Sequence, residues 1–184
     1  PLLLNSETPI EESGDEPAIM FKNSQCPVVI GTNRIQAAKH LMENTDSNVI
    51  LSDDGLQHFS LGRDIEILMI DGNRKFGNEL LLPAGPLREP KSRIKTVDFT
   101  ISSNRKWPSV AKYEMKYRPF KWVHMKSQKE YDIFDWPLKK EVNAVAGIGN
   151  PSNFFNLLKQ LGFDISEYAF PDHHDFHSVD FEIM

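Results

Sequence analysis

Cysteine and long apolar runs are both scarce in this sequence of 184 residues. The longest apolar runs, such as 67–70, are far shorter than the roughly 20 residues that a membrane-spanning helix needs, and no signal-peptide pattern opens the chain. The single cysteine, Cys26, excludes an internal disulfide bond and favours a reducing compartment. Glycine and proline, with 10 and 12 residues, are too few for a collagen or a low-complexity chain. These absences predict a compact cytoplasmic protein.

Negative charge dominates overall, but basic residues are concentrated in one stretch. The chain has 21 lysine and arginine residues against 26 aspartate and glutamate residues, a net charge of −5. Residues 88–129 hold 12 basic and 3 acidic residues, a local charge of +9 that leaves −14 elsewhere. Such a stretch attracts phosphates, nucleic acid or an anionic membrane surface, and a solvated face without a partner fits it equally well.

Apolar, β-branched runs alternate with helical or loop segments in the first part of the chain. This alternation predicts an α/β fold with a parallel sheet. Asn33 is predicted to cap a helix over 33–44, and a second helix is predicted to begin after Pro17. Residues 1–13 are predicted to be irregular. The predicted strands are 27–31, 48–52, 64–71 and 97–103.

The pattern changes after about Trp107. Alternating residues over 111–117 and 122–126 predict an antiparallel hairpin. A strand over 141–147 then leads to a helix over 152–161, with Asn150 as its cap, Pro151 at its first position and Gly162 as its stop. We therefore divide the chain into a core (1–108), a basic β-hairpin linker (109–138) and a smaller C-terminal α/β subdomain (139–184).

Two pairs of carboxylates lie where a nucleotide site or a simple turn would place them. Asp53 and Asp54 follow a predicted strand, and the carboxyl ends of parallel strands bind ligands such as the Mg²⁺ of a nucleotide in a Walker B arrangement. A turn with an Asp cap explains the same residues. Asp15 and Glu16 precede a predicted helix, where favourable interaction with the helix N-terminus also explains them.

Two other segments carry candidate chemistry. Residues 171–177 contain three histidines and two aspartates, which fit a metal site, a base–carboxylate pair that activates a hydroxyl, or a chance cluster. Glycine and proline stiffen residues 82–90, which carry Arg88 and Glu89. Arg88 can bind a phosphate and Glu89 can complete a magnesium shell, or either can form a structural salt bridge.

Six motifs, in their order and spacing, resemble those of the tetraacyldisaccharide 4′-kinase family over essentially the whole chain. They are Gly14-Asp15-Glu16-Pro17, Ser52-Asp53-Asp54-Gly55-Leu56-Gln57-His58, Leu61-Gly62-Arg63-Asp64, Leu82 to Pro90, Gly147-Ile148-Gly149-Asn150-Pro151 and Phe170-Pro171-Asp172-His173-His174. The resemblance implies a kinase with a P-loop NTPase-like fold. Such a kinase transfers phosphate from ATP, with Mg²⁺, to the 4′-hydroxyl of tetraacyldisaccharide 1-phosphate, giving lipid IVA in lipid A biosynthesis.

The resemblance also implies roles for individual residues. Asp54 and Glu89 would bind Mg²⁺, with Asp53 as the second Walker B-like carboxylate. His173 would take the proton of the sugar hydroxyl while Asp15 orients its imidazole, which requires the C-terminal subdomain to close over the core. Arg88 would offset charge on the transferring phosphoryl group. Substrate or nucleotide would also contact Glu16, Gln57, His58, Gly149 and Asn150.

The chain departs from the family pattern in one respect. The Gly-rich Walker A loop and a membrane-associating helix of the family lie upstream of the region that corresponds to Pro1, and no G-x-x-x-x-G-K-[ST] motif occurs in these residues. The chain also begins without an initiator methionine. We therefore expect a segment of a longer protein that has little or no kinase activity by itself.

The expected partners are the glycolipid, ATP and the cytoplasmic face of the Gram-negative inner membrane, which the protein would contact peripherally; we expect no nucleic acid partner. This segment alone is expected to be soluble. The basic stretch, with Trp107, Tyr113, Phe120 and Trp122 interleaved, is predicted to dock the membrane or the substrate head group.

Two other functions fit parts of the sequence. A metal-dependent phosphohydrolase would use Asp172, His173 and His174, but the further upstream ligands of that class are not found. A non-catalytic fragment would bind nucleotide or a lipid head group without turnover.

Overall fold

The computed structural model describes residues 1–182, which separate into two compact units. The first unit comprises Pro1–Lys116, and the second begins at Tyr117. Both contain helices and parallel strands, which confirms a mixed α/β fold. The division into 1–108, 109–138 and 139–184 stays a prediction, and residues 183 and 184 of that last segment lie outside the described residues.

A two-stranded sheet and three helices form the beginning of the first unit. Strand β1 (Leu2–Leu3) pairs antiparallel with β2 (Val29–Ile30), and α3 (Arg34–Asn44) contacts both strands. Along the sequence, α1 (Ile10–Ser13) and α2 (Asp15–Ser24) lie between β1 and β2. The predicted cap of α3 is confirmed, because the Asn33 side chain accepts a hydrogen bond from the backbone N of Gln36 at 3.1 Å.

Two predictions for this region are wrong. Residues 1–13 are not irregular throughout, and the strand within 27–31 is half-buried and antiparallel rather than part of a parallel sheet. The cause is the pairing of the first leucines with β2. A two-residue strand is too short to give an alternating pattern of its own.

Three parallel strands form the second sheet of this unit. The order is β3 (Ile67–Asp71), β4 (Phe99–Ser103) and β5 (Tyr113–Glu114), and a 3-10 helix (Lys91–Lys95) precedes β4. Ser102 is fully buried; its hydroxyl accepts from the backbone N of Trp107 at 3.3 Å and donates to the carbonyl of Tyr113 at 3.4 Å. The parallel pairing of the predicted third and fourth strands is confirmed.

The predicted strand over 48–52 is wrong. These residues are not in a strand, and Val49 and Leu51 are 72% and 90% exposed. A strand needs a hydrogen-bonding neighbour, and no strand among residues 1–182 pairs with this segment.

The second unit begins with a hairpin. Strand β6 (Lys121–Val123) pairs antiparallel with β7 (Glu130–Asp132), so a hairpin does lie within 109–138. The predicted pairing of 111–117 with 122–126 is wrong, because Tyr113–Glu114 pairs with β4 instead.

A β-α-β segment completes the second unit. Strand β8 (Glu141–Ala146) is parallel to β9 (Asp164–Ala169), and α4 (Pro151–Gln160) connects them. The predicted start of α4 at Asn150 and Pro151 is confirmed. The core is built from apolar residues of β8, of α4 and of the loop before β9: Ala144, Ala146, Phe155, Leu158 and Phe163.

The tryptophans of the basic stretch pack inward. Trp122 lies 5.2 Å from Phe163 between ring centroids, and Trp107 lies 4.9 Å from Phe76. Both side chains are half-buried by these contacts, and their role in docking a membrane or the substrate head group stays a prediction. Across residues 1–182, every helix is too short or too polar to cross a bilayer.

Candidate functional site

The loop over 52–58, which we call the carboxylate loop, forms a tight turn. Asp54 adopts a left-handed backbone conformation with φ of 48°, and the backbone N of His58 donates to the carbonyl of Gly55 at 3.0 Å. A Cβ added to Gly55 would lie 2.8 Å from Ser52 Oγ, so a larger residue there would force Ser52 to shift. Asp53 and Asp54 are both exposed. The two carboxylates thus lie on a turn and not, as predicted, at the end of a strand.

The loop over 82–90 meets the carboxylate loop at two points. Arg88 Nη1 lies 3.7 Å from Asp54 Oδ2, and Gln57 Nε2 donates to Glu89 Oε1 at 2.5 Å. The Arg88 and Asp54 side chains are 61% and 79% exposed, whereas that of Glu89 is 16% exposed. The structure therefore brings these four predicted site residues together in the first unit.

Behind the carboxylate loop lies a network of charged residues that the sequence did not assign to the site. Arg93 Nη2 donates to Glu66 Oε1 at 2.5 Å, and Arg93 Nε donates to Glu89 Oε2 at 3.1 Å. The hydrogen bond from Arg93 holds the pKa of Glu66 below its usual range, and the same bond raises the pKa of Arg93. Of its members the sequence had assigned only Glu89, and neither Glu66 nor Arg93 lies in one of the six motifs.

The oxygen atoms of Asp53, Asp54 and Glu89 are of the type that Mg²⁺ prefers. Magnesium commonly binds one or two protein carboxylates and completes its shell with water and phosphate oxygens. Nowhere in residues 1–182 do three or more His, Cys, Asp or Glu side chains converge as a metal site. Asp54 and Glu89 lie on the two loops that the Arg88 and Gln57 contacts join, so they are the carboxylates that could serve as one or two such protein ligands.

Asp15 and Glu16 lie in the first turn of α2, in the first unit. Both are exposed, and the helix is preceded by Gly14, whose φ is 82°. Neither residue caps the helix through its side chain from the N-cap position, because that position belongs to Gly14. The negative charge of both residues is favoured at the positive end of the helix dipole.

His173 lies in the second unit, beside the loop that follows β8. Its backbone N donates to the carbonyl of Gly147 at 3.2 Å, and its φ of 54° is in the left-handed region. Gly149 approaches the neighbouring loop closely, since an added Cβ would lie 3.2 Å from Asp172 Oδ2. The segments with Gly149, Asn150 and His173 thus follow two parallel strands at the same edge of one sheet. Non-glycine residues in the left-handed region are uncommon and often mark functional positions.

His174 has a different environment from its neighbour. Its ring stacks on Phe170 at 4.6 Å and meets Phe176 edge to face at 4.9 Å. Its Nε2 donates to Asp180 Oδ2 at 3.1 Å. The hydrogen bond from the backbone N of His177, followed by the one from His174, holds the pKa of Asp180 below its usual range.

This packing speaks against the phosphohydrolase alternative. That alternative needs Asp172, His173 and His174 to bind one metal ion, and the part of the chain that the structure describes contains no such three-residue group. The imidazole of His174 is engaged by Asp180 and by two phenylalanine rings instead.

The fold is that of an α/β protein. Its loops over 52–58 and 82–90 bring the acidic side chains of Asp54 and Glu89 together with the basic side chain of Arg88. The model of the family described as Tetraacyldisaccharide-1-P 4'-kinase matches residues 1–184, and the chain belongs to this family.

Relatives named Tetraacyldisaccharide 4'-kinase support this assignment. The one from Legionella pneumophila (strain Corby) is 47% identical over 165 residues, which cover 89% of this chain and 49% of that protein. The one from Shewanella woodyi is 48% identical over 164 residues, which cover 89% of this chain and 47% of that protein. The one from Vibrio parahaemolyticus is 40% identical over an alignment of 185 positions, which covers 100% of this chain and 54% of that protein. The chain spans about half the length of the curated relatives it matches. No solved structure matches the chain.

Proposed function

We propose that the protein to which these residues belong is a kinase that transfers phosphate from ATP to the 4′-hydroxyl of tetraacyldisaccharide 1-phosphate, giving lipid IVA. The observation that carries the proposal is the family match over all 184 residues. The proposed fold is P-loop NTPase-like. The parallel strands β3, β4 and β5 support it.

The first unit would hold the nucleotide phosphates. Asp54 and Glu89, with Asp53, would bind Mg²⁺, which when bound neutralises phosphate charge. Arg88 would offset charge on the transferring group, and its position 3.7 Å from Asp54 supports a shared site. Gln57 and His58 would line this site, since both belong to the same turn.

The second unit would supply the general base. His173 would take the proton of the sugar hydroxyl, and Asp15 would orient the imidazole and stabilise its charged form. The position of His173 beyond the carboxyl ends of β8 and β9, where parallel sheets bind ligands, supports this role. Glu16, Gly149 and Asn150 would contact substrate or nucleotide.

The basic stretch would face the inner membrane from the cytoplasmic side. Exposed apolar side chains lie among its lysines and arginines: Tyr117, Phe120 and Met125 are 71%, 78% and 87% exposed. Basic residues near an anionic surface and apolar side chains that insert at the interface favour peripheral binding together.

The test is transfer of label from [γ-³²P]ATP to tetraacyldisaccharide 1-phosphate in detergent micelles by the full-length protein. We expect labelled lipid only with Mg²⁺, and a fall in kcat on the order of 10² or more for Asp54→Asn, because a group that stabilises phosphate charge is lost. Lys159→Met is the control, since it breaks an exposed ion pair with Glu167 at 2.6 Å. No transfer by the wild type would contradict the proposal. An Asp54→Asn variant as active as Lys159→Met would contradict the magnesium assignment.

A further inference from the structure

The motif Leu61-Gly62-Arg63-Asp64 has no part in the proposed chemistry, yet its arginine binds the carboxylate loop. Arg63 Nη1 donates to the carbonyls of Gly55 at 2.9 Å and Leu56 at 3.1 Å. Arg63 Nη2 donates to the carbonyl of His58 at 3.2 Å. One guanidinium therefore holds both ends of the turn that follows Asp53 and Asp54.

Arg63 is also the first member of a closed circuit of polar contacts. Glu66 Oε1 lies 3.4 Å from Arg63 Nε and accepts a hydrogen bond from Arg93 Nη2 at 2.5 Å. Arg93 Nε donates to Glu89 Oε2 at 3.1 Å, and Glu89 Oε1 accepts from Gln57 Nε2 at 2.5 Å. Gln57 lies in the turn that Arg63 holds, so the circuit returns to its start.

The circuit is shielded from water, unlike the surface pair beside it. The side chains of Arg63, Glu66, Arg93 and Glu89 are between 14% and 23% exposed, whereas those of Asp54 and Arg88 are 79% and 61% exposed. Partly buried charges are costly unless each has a partner, so loss of one member leaves its neighbours uncompensated. Substitution of one member is consequently expected to disturb the positions of the others.

The structure assigns Arg63, Glu66 and Arg93 as positioning residues that fix the carboxylate loop and Glu89 relative to each other, an inference that rests on the proposed kinase function. The loop carries Asp53 and Asp54 and has neither helix nor strand to order it. The guanidinium fork of Arg93 reaches Glu66 and Glu89 at once. A lysine ammonium does not reproduce that fork, so Arg93→Lys is a disruptive change despite its unchanged charge.

The expected kinetic result separates positioning from mere stability. In the full-length protein at a temperature where circular dichroism shows each variant to be folded, Arg93→Lys and Arg63→Lys should lower kcat by about 10- to 100-fold. KM for the lipid should change little, and the Mg²⁺ concentration for half-maximal activity should rise. A role confined to stability would lower the melting temperature and leave kcat and the Mg²⁺ dependence of the folded protein unchanged.

A readout that needs no activity is hydrogen–deuterium exchange over residues 53–61. Exchange there should be faster in Arg63→Lys and Arg93→Lys than in the wild type and unchanged in Lys159→Met, whose ion pair lies in the second unit. If either variant does not fold, Glu66→Gln and Glu66→Ala give the same comparison. Because the amide introduced by Glu66→Gln keeps an oxygen acceptor, that variant should retain more activity than Glu66→Ala.

The outcomes distinguish this inference from the proposed function. Folded variants with wild-type exchange over 53–61, or with wild-type kcat and Mg²⁺ dependence, would overturn the positioning role. If the wild type transfers no phosphate, the proposed kinase function is overturned and kcat no longer tests the inference. Faster exchange in the variants would then still support the role of the three residues in ordering the loop.

Discussion

Substitution of the adjacent histidines His173 and His174 is expected to affect different quantities: kcat for His173 and stability for His174. His173→Ala should lower kcat by on the order of 10² to 10⁴, the usual range for loss of a general base, with little change in KM for ATP. His174→Ala should leave kcat within about 3-fold of the wild type, because its ring is engaged by two phenylalanines and by Asp180.

The stability loss for His174→Ala follows from its contacts. Each aromatic contact contributes about 0.5–1.5 kcal/mol, so the two pairs at 4.6 and 4.9 Å give about 1–3 kcal/mol. Because the side chain is 26% exposed, we expect the lower half of that range from the rings, about 1–2 kcal/mol, with the hydrogen bond to Asp180 adding to it.

The assay measures both quantities on the same preparations of the full-length protein. Urea unfolding gives the change in free energy, and initial rates of label transfer give kcat and KM. His173→Asn joins the set as a second variant, since asparagine tolerates the left-handed backbone of His173. A stable His174→Ala variant that loses as much kcat as His173→Ala, with activity that tracks bound Mn²⁺ or Zn²⁺, would refute the reasoning and favour a metal site.

Three other predictions follow from the site and the core. Asp15→Ala should resemble His173→Ala in kcat, and the double variant should be little worse than either single variant; additive losses would contradict a functional pair. Phe163→Ala should cost about 3–5 kcal/mol in urea unfolding, because Phe163 is buried and contacts two tryptophan rings, while Phe134→Ala, 84% exposed, should cost less than about 0.5 kcal/mol. The pKa of Asp180 is lowered from its ordinary value of 3.8, so its stabilisation is complete well above 3.8 and is lost as pH falls through the lower pKa of the folded state. The free-energy difference between the wild type and Asp180→Asn should therefore begin to shrink as pH falls towards 3.8 and continue to shrink below it.

Local signals made the starts of helices α3 and α4 predictable. The side chain of Asn33 caps α3, whereas α4 begins at Pro151 after Asn150, whose side chain makes no capping hydrogen bond. Capping needs no distant partner, so the sequence carries it in full.

Strand pairing was less predictable because it depends on residues far along the chain. The run over 48–52 has strand composition but no strand partner among residues 1–182, whereas the first leucines find one in Val29 and Ile30, beyond two intervening helices. A pattern within one segment cannot specify its neighbour.

The same limit applies to the candidate site. The motifs located Asp54, Gln57, Arg88 and Glu89, but the contact of Gln57 with Glu89 spans 32 residues. Arg93 lies outside every motif. The charged network behind the carboxylate loop therefore became visible only in the folded structure.

The most direct test of the proposed kinase function is the identity of the lipid product. After incubation of the full-length protein with Mg²⁺, ATP and tetraacyldisaccharide 1-phosphate, mass spectrometry and ³¹P NMR should show one added phosphate, on the 4′-hydroxyl, in amounts equal to the ADP formed. Release of inorganic phosphate from the lipid without ATP, or phosphorylation at another hydroxyl, would contradict it.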